Sequence, residues 1–147
     1  MKLLTGEYRN TLDDKGRIMF PSKLRADLQG NVLILTQGLD KCLWLFPPAE
    51  WDVLSAKLME NASLFHSQAR LVLRRLVAPA QEVEVDKTGR ISIPQSLREY
   101  AGLEKDCVIL GINKYLELWD GQQFNSYLSD NESEFKEATE GLGNIFF

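Results

Sequence analysis

The chain carries one short stretch twice, and this duplication constrains its fold more than any other feature. Asp13-Asp14-Lys15-Gly16-Arg17 runs into Ile18-Met19-Phe20-Pro21 and then Leu24-Arg25. Asp86-Lys87-Thr88-Gly89-Arg90 runs into Ile91-Ser92-Ile93-Pro94 and then Leu97-Arg98. Each pair is separated by 73 positions, and the offset continues without a gap through Gly38/Gly111, Lys41/Lys114, Leu43/Leu116 and Leu45/Leu118. Residues 13–46 against 86–119 share eleven identities in thirty-four positions, concentrated in the first stretch and just after it. The period is too long for a solenoid unit, so it marks a duplicated domain half.

Local chemistry predicts the same elements in both copies. Glu7 to Leu12 alternates as a strand, and Asp13-Asp14-Lys15-Gly16 reads as a hairpin loop. Asp bonds its own backbone two residues on, and Gly supplies the positive φ such loops need near their end. Arg17 to Phe20 is then the return strand, and Pro21, with no N–H for a ladder, opens a short helix over 22–28. In the second copy Val83 and Val85 alternate with Glu82 and Glu84. Ile91 and Ile93 alternate with Arg90 and Ser92, which turns the isoleucines to the core and Arg90 outward. Pro94 to Ala101 is the matching helix, with Gly102 as its stop. Val32–Thr36 with Leu43–Phe46, and Cys107–Ile112 with Leu116–Trp119, add a second strand pair to each half.

A half of this kind has open strand edges and one apolar face, and is marginal alone. Two halves covering each other through a pseudo-two-fold axis resolve this. The expected fold is therefore α+β: two tandem β-α-β halves with helices linking and following them. The boundaries predicted are 1–50 for the first half, 51–79 for a helical connector, 80–123 for the second half and 124–147 for a C-terminal helix and acidic tail. In the connector, one helix runs from Pro47-Pro48 to about Glu60 and a second, capped by Ser63, to about Leu76, with Leu64, Leu71, Leu73 and Leu76 as apolar-face candidates. Gln122 to Ala138 reads as one helix with Phe124, Leu128 and Phe135 as apolar points. Leu142 to Phe147 is hydrophobic for a chain end, either a frayed tail or a segment that docks on another subunit.

No apolar run approaches the roughly 20 residues of a membrane span, and the start is too short for a secretory signal. A cytoplasmic protein is expected. Cys42 and Cys107 lie in or beside apolar runs at non-equivalent repeat positions, so buried reduced thiols are expected. His66 is the only histidine, which rules out a His-based metal cluster within one chain. There is no phosphate-binding loop, and His66 falls in an expected helix, where a surface or core role suits it better than that of a base. These absences weigh against catalysis, and no cofactor is expected.

The formal net charge of −4 conceals an uneven distribution. Residues 1–25 hold Lys2, Arg9, Lys15, Arg17, Lys23 and Arg25 against Glu7, Asp13 and Asp14. Residues 120–147 hold Asp120, Asp130, Glu132, Glu134, Glu137 and Glu140 against Lys136 alone. Local field decides what a face attracts, because salt screens beyond roughly 8 Å. Arg17 and Arg90 fall on the polar face just after a tight turn. They have two readings: a salt bridge to Asp13 or Asp86 that closes the hairpin, or presentation to a major groove, where a guanidinium fork matches guanine O6 and N7. The carboxylate can also do both, fixing the turn and aiming the Arg. Lys15, Lys23, Arg25 and Arg98 are candidate phosphate contacts, with Arg9 and Lys87 weaker.

The paired D-x-x-G-R-I-x-x-P motifs, each followed by L-R, resemble those of the MraZ family. The resemblance extends to Gly6-Glu7-Tyr8, to Arg70 through Leu76, to Gly102-Leu103 and to Glu117-Leu118-Trp119. It implies two tandem SpoVT-AbrB-type, swapped-hairpin domains, and maps the D-x-x-x-R signature onto Asp13 with Arg17 and Asp86 with Arg90, with Gly16 and Gly89 completing the turns. It further implies a transcriptional regulator that binds double-stranded DNA at G-rich direct repeats upstream of the division and cell-wall gene cluster, including its own gene. A ring-like homo-oligomer, nucleoid-associated and without a membrane partner, goes with that reading. Thr88 stands where the first copy has Lys15, so the two turns are not expected to contact DNA with equal strength. Two other readings stand beside it. The acidic tail suggests an antitoxin-like DNA-binding module that grips a protein partner through a disordered C-terminus, and a purely structural oligomer is the third.

Overall fold

Short β-branched and leucine-rich runs form the strands, and Pro or Gly marks most of their ends. The computed structural model describes residues 4–28 and 30–146. The first copy contains β1 (Leu4–Thr11), β2 (Arg17–Met19), α1 (Ser22–Arg25), β3 (Val32–Gln37) and β4 (Leu43–Phe46). The connector holds α2 (Pro48–Asn61), α3 (Ser67–Val72) and a π-helical turn (Leu73–Val77). The second copy follows as β5 (Gln81–Glu84), β6 (Arg90–Ser92), α4 (Gln95–Ala101), β7 (Asp106–Asn113) and β8 (Leu116–Asp120). Then come α5 (Gly121–Asp130), α6 (Glu132–Gly141) and α7 (Gly143–Phe146).

The strand pairing corrects the simple hairpin reading. β1 does not zip onto β2 across the Asp13 turn; a single bridge, Leu12 to Ile18, joins the two sides. Instead β1 pairs along its whole length with β7 of the other copy, and β5 pairs with β3. The short strands β2 and β6 pair with each other. Both hairpins have thus exchanged partners, as the swapped-hairpin resemblance implies. The resulting antiparallel sheet, ordered β1-β7-β8-β4-β3-β5, interleaves strands of both copies, and β2-β6 forms a separate two-stranded ribbon. Exchange satisfies backbone groups that an isolated half would leave on open edges.

Ile18, Phe20, Leu24, Leu33, Leu35 and Leu45 from the first copy pack with Ile91, Ile93, Leu97, Ile109 and Leu118 from the second in one buried core. The other sheet face is covered by α5, through Cys42, Val108, Trp119 and Phe124. There Glu117 accepts hydrogen bonds from the indoles of Trp44 at 3.0 Å and Trp119 at 3.1 Å. Buried Thr36 donates to the Leu76 carbonyl at 2.7 Å and so seats the π-helical turn on β3. Cys42 and Cys107 are free and buried. Burial, with Asp120 and Asp106 nearby, pushes the Cys107 thiol up to about 12, and burial raises that of Cys42 as well. Among the described residues no helix is long and apolar enough to cross a membrane.

The repeat is not gapless in three dimensions. Ile34 pairs with Phe46 as Val108 pairs with Trp119. The β4 and β8 residues stand 73 apart, but the β3 and β7 residues 74. Leu33 and Leu35 accordingly match Cys107 and Ile109, all of them buried. With a side-chain period of two, a 73-residue offset would send one strand's core residues to the opposite face. The connections absorb the difference, one residue longer between α4 and β7 and one shorter between β7 and β8.

Several helix expectations shift. The first short helix ends at Arg25, and the second connector helix starts at Ser67, because Ser63 accepts from the His66 amide in a turn at 3.1 Å instead of capping. Leu64 and Leu71 are exposed while Leu76 is buried. The single helix expected over 122–138 is interrupted at Asn131, which sits at φ −113° and ψ 17° and whose side chain donates to the Tyr127 carbonyl in competition with the helical bond that its amide makes there. Phe124 is buried, but Leu128 and Phe135 are exposed. The acidic segment is helical in α6 and is not an extended tail. Of the hydrophobic end, Ile145 is exposed, and Phe147 lies outside the described residues.

Ile18 and Ile91 face each other across the ribbon and are 1% and 0% exposed, so they join it to the core. Ile18→Ala and Ile91→Ala should each lower unfolding free energy by about 2–5 kcal/mol. In urea denaturation the double variant should fall short of the sum, because one cavity is shared.

Candidate nucleic-acid interface

Each repeated motif folds into the same small hydrogen-bonded unit. In the first, the Asp13 amide donates to the Arg17 carbonyl at 2.9 Å and the Gly16 amide to the Asp13 carbonyl at 3.0 Å. The Asp13 carboxylate closes the loop from inside. Its Oδ1 accepts from the amides of Lys15 at 3.0 Å and Arg17 at 2.8 Å, and its Oδ2 from Arg17 Nε at 2.8 Å. The second unit repeats every contact: Asp86 Oδ1 accepts from Thr88 and Arg90 amides, each at 2.9 Å, and Oδ2 from Arg90 Nε at 3.2 Å. Gly16 and Gly89 sit at φ +77° and +90°, which a side chain would strain.

A short acceptor with two oxygens suits this place, because three donors converge on it. The Arg17 amide, with desolvation opposing it as the next largest effect, and then the Arg17 side chain, the Lys15 amide and the Arg17 charge together hold the Asp13 carboxyl below its ordinary value. Asp86 is lowered in the same way, first by the Arg90 amide, then by the Thr88 amide and the charge and side chain of Arg90. Both readings of the Asp–Arg pair therefore meet in one geometry. The ion pair exists, yet it engages Nε and leaves the terminal nitrogens of each guanidinium beyond the carboxylate.

The β2-β6 register places the two motifs side by side. Arg17 lies opposite Ser92, Ile18 opposite Ile91 and Met19 opposite Arg90. The ribbon is closed at each end by a turn glycine: Phe20 N–H donates to the Gly89 carbonyl and Ile93 N–H to the Gly16 carbonyl, both at 2.8 Å. Alternation turns Ile18 and Ile91 inward and Arg17, Met19, Arg90 and Ser92 outward. Arg17 and Arg90 are roughly a quarter to a third exposed, at 27% and 29% of the side chain. They are neither sealed in the core nor freely waving.

The helices of the two copies cross over as well. Arg98 of α4 lies against Gly16, in space that any Cβ there would occupy, and its Nη1 donates to the Ile93 carbonyl at 3.1 Å. Arg25 of α1 lies against Gly89, its Nη1 2.8 Å from where a Cβ would stand. Glycine is thus required twice at each turn, for its φ and as a seat for the other copy's arginine. Lys15 is exposed at the first tip, and Lys87 and Thr88 at the second.

Of the residues expected from the sequence, Arg17, Arg90, Arg25, Arg98, Lys15 and the turn residues Asp13, Gly16, Asp86 and Gly89 gather around one ribbon. Lys23 is exposed on α1, but two residues from Arg25 it projects from a different side of the helix. Met19 and Ser92 were not singled out, although period-two alternation from Ile18 and Ile91 places both on the outer face. Arg9 is occupied elsewhere, donating to Glu7 at 2.9 Å and to Asn125 at 3.4 Å.

A family model described as "MraZ protein, putative antitoxin-like" matches the chain twice, over residues 3–75 and 76–144. The chain is similar to the "Transcriptional regulator MraZ" of Treponema denticola, at 59% identity over 98% of this chain and 100% of that one. It is similar to the protein of the same description from Treponema pallidum subsp. pallidum, at 51% identity over 96% of this chain and 95% of that one. A solution structure of PHS018 from Pyrococcus horikoshii aligns at 14% identity over 80% of this chain and 89% of that one, with a TM-score of 0.33 that is too low to bear on the fold. Two family matches that divide the chain at the connector, and relatives alike over nearly its full length, place this protein in the MraZ family.

Proposed function

We propose that this protein is a DNA-binding transcriptional regulator that reads base edges with Arg17 and Arg90, aimed from the outer face of the β2-β6 ribbon. One observation carries the reading: both guanidinium groups are held through Nε by a carboxylate of their own turn, and both stand on the same face of one two-stranded ribbon. The major groove admits such a ribbon, and a guanidinium fork addresses guanine O6 and N7. Pre-aiming lowers the entropy lost on binding, because Arg is otherwise rich in rotamers. The relatives' description as transcriptional regulators supports the same class.

The finer reading follows the family. The site is a set of G-rich direct repeats upstream of the division and cell-wall gene cluster, including the protein's own gene, and the protein works on the nucleoid. Lys15, Arg25, Arg98 and Lys23 serve as phosphate contacts, which position without specifying. One ribbon supplies few base contacts against the roughly 4–10 kcal/mol that separates specific from non-specific binding. A ring-like homo-oligomer aligning several ribbons on repeated sites makes up the difference through effective concentration.

Arg17→Ala with Arg90→Ala should abolish specific binding to the gene's own upstream region in a gel-shift assay while leaving the circular dichroism spectrum unchanged. Undiminished specific binding would refute the role of the pair. Each single variant should lose about 1–3 kcal/mol of discrimination at a guanine.

Affinity should fall steeply with salt, and Lys15→Ala should weaken binding to all sequences alike while lowering the slope of log affinity against log salt by about 1. Titration of the turns has a definite sign. Both carboxyls sit below their ordinary value of 3.8 in the folded protein. Their stabilising contribution is therefore complete above that value and lost as pH falls through the lowered pKa values. Carboxyl-carbon NMR should show Asp13 and Asp86 titrating below 3.8, and Arg17→Ala should move Asp13 back up.

A further inference from the structure

The two ends of the ribbon differ in chemistry. Arg17 and Arg90, Arg25 and Arg98, and Asp13 and Asp86 are repeat equivalents, but Met19 stands where the second copy has Ser92. Register sets Met19 directly opposite Arg90 and Ser92 directly opposite Arg17. Met19 is 43% exposed, an apolar side chain on a face otherwise built of guanidinium and hydroxyl groups. Its Cε and the Arg25 Nη1 converge over Gly89, 3.3 and 2.8 Å from the place of an absent Cβ. At the opposite tip the three atoms nearest the corresponding place over Gly16 all belong to Arg98. The Met19 backbone is tied down too, its carbonyl accepting from Asn10 Nδ2 at 3.2 Å.

Charge does not separate the two ends: Lys15 and Lys23 in the first copy correspond to Thr88 and Ser96 in the second, but Asp14 corresponds to Lys87. What separates them is that the Asp86 end combines its arginine with an apolar surface. A major-groove edge offers one apolar feature, the C5-methyl group of thymine, and a serine hydroxyl can bond any base. A thioether is polarizable and has rotatable bonds enough to fit against a methyl group of unspecified height.

We propose that Met19 is a specificity-determining residue that packs on a thymine methyl beside the base addressed by Arg90, so that the ribbon reads its site in one orientation only. This rests on the DNA-reading function proposed above. The Asp86 end selects thymine next to guanine. The Asp13 end, with Ser92 and Lys15, grips its base pair and phosphates without a methyl preference.

Deoxyuridine lacks only that methyl group, which makes the contact separable. The full-length protein would be titrated by fluorescence anisotropy against duplexes from its own upstream region, each thymine replaced in turn by deoxyuridine. One thymine beside a guanine should be sensitive, with an affinity loss of about four-fold, the worth of one buried methyl group. In Met19→Ser, which copies the other end of the ribbon, thymine and deoxyuridine should bind alike at that position. Sensitivity that persists unchanged in Met19→Ser, or no sensitivity at any thymine, overturns the proposal. The parent reading is tested separately in the same assay. If Arg17→Ala with Arg90→Ala keeps full specific affinity, both proposals fall; if that variant loses it while deoxyuridine is neutral throughout, Met19 alone is excluded.

Discussion

Six residues of backbone, three in β2 and three in β6, hold the two motifs side by side, while the exchanged pairs of the larger sheet join the halves around them. Each of these strands is too short to be stable by itself, and each finds its partner in the other copy. The glycine carbonyls at the turn tips complete the ladder by accepting from Phe20 and Ile93. This explains why the first motif and the second are matched in chemistry although they lie 73 residues apart. Each turn is a structural component of the other copy's strand. A turn that lost its glycine would strain its own φ and also displace the arginine that the opposite helix lays against it.

On the proposed reading, the Asp–Arg pair is an aiming device more than a source of stability. Exposed ion pairs contribute little, because the charges gain modest Coulomb energy and the side chains lose rotamer freedom. Here the freedom is already restricted by the backbone amides that fix the carboxylate, and Arg17 and Arg90 bind to it through Nε. A guanidinium so held loses less entropy when it meets a planar acceptor pair. The stabilising work falls instead to the isoleucines on the opposite face, which are buried where the arginines are not.

Much of this was legible in the residues. Asp, Gly and Arg at fixed spacing announced the turn, alternation around Ile91 and Ile93 announced which face was buried, and Gly102 stopped α4 in the left-handed conformation as expected. The identity of each strand's partner was not legible, because backbone hydrogen bonds are the same whichever copy supplies them. Only the family resemblance pointed to exchange. The shift from 73 to 74 between β3 and β7 was hidden for a related reason. Apolar runs such as Val32-Leu33-Ile34-Leu35 fill both faces, so identity matching cannot tell which residues point inward, whereas burial can. The break at Asn131 and the turn at Ser63 depend on side-chain and backbone bonds of single residues, below the resolution of periodicity.

The same two-residue alternation couples the core to the proposed reading face. Slipping β2 by one residue against β6 would turn Ile18 to solvent and bring Arg17 or Met19 over a core containing Leu33, Leu45 and Leu118. An unpaired guanidinium there is far costlier than a lost aliphatic contact. Register is therefore enforced by burial on one face, and the positions of Arg17, Met19, Arg90 and Ser92 on the other follow without any interaction of their own. A surface fixed in this way can change its outward residues, as the difference between Met19 and Ser92 shows, while the strand pairing beneath it stays intact.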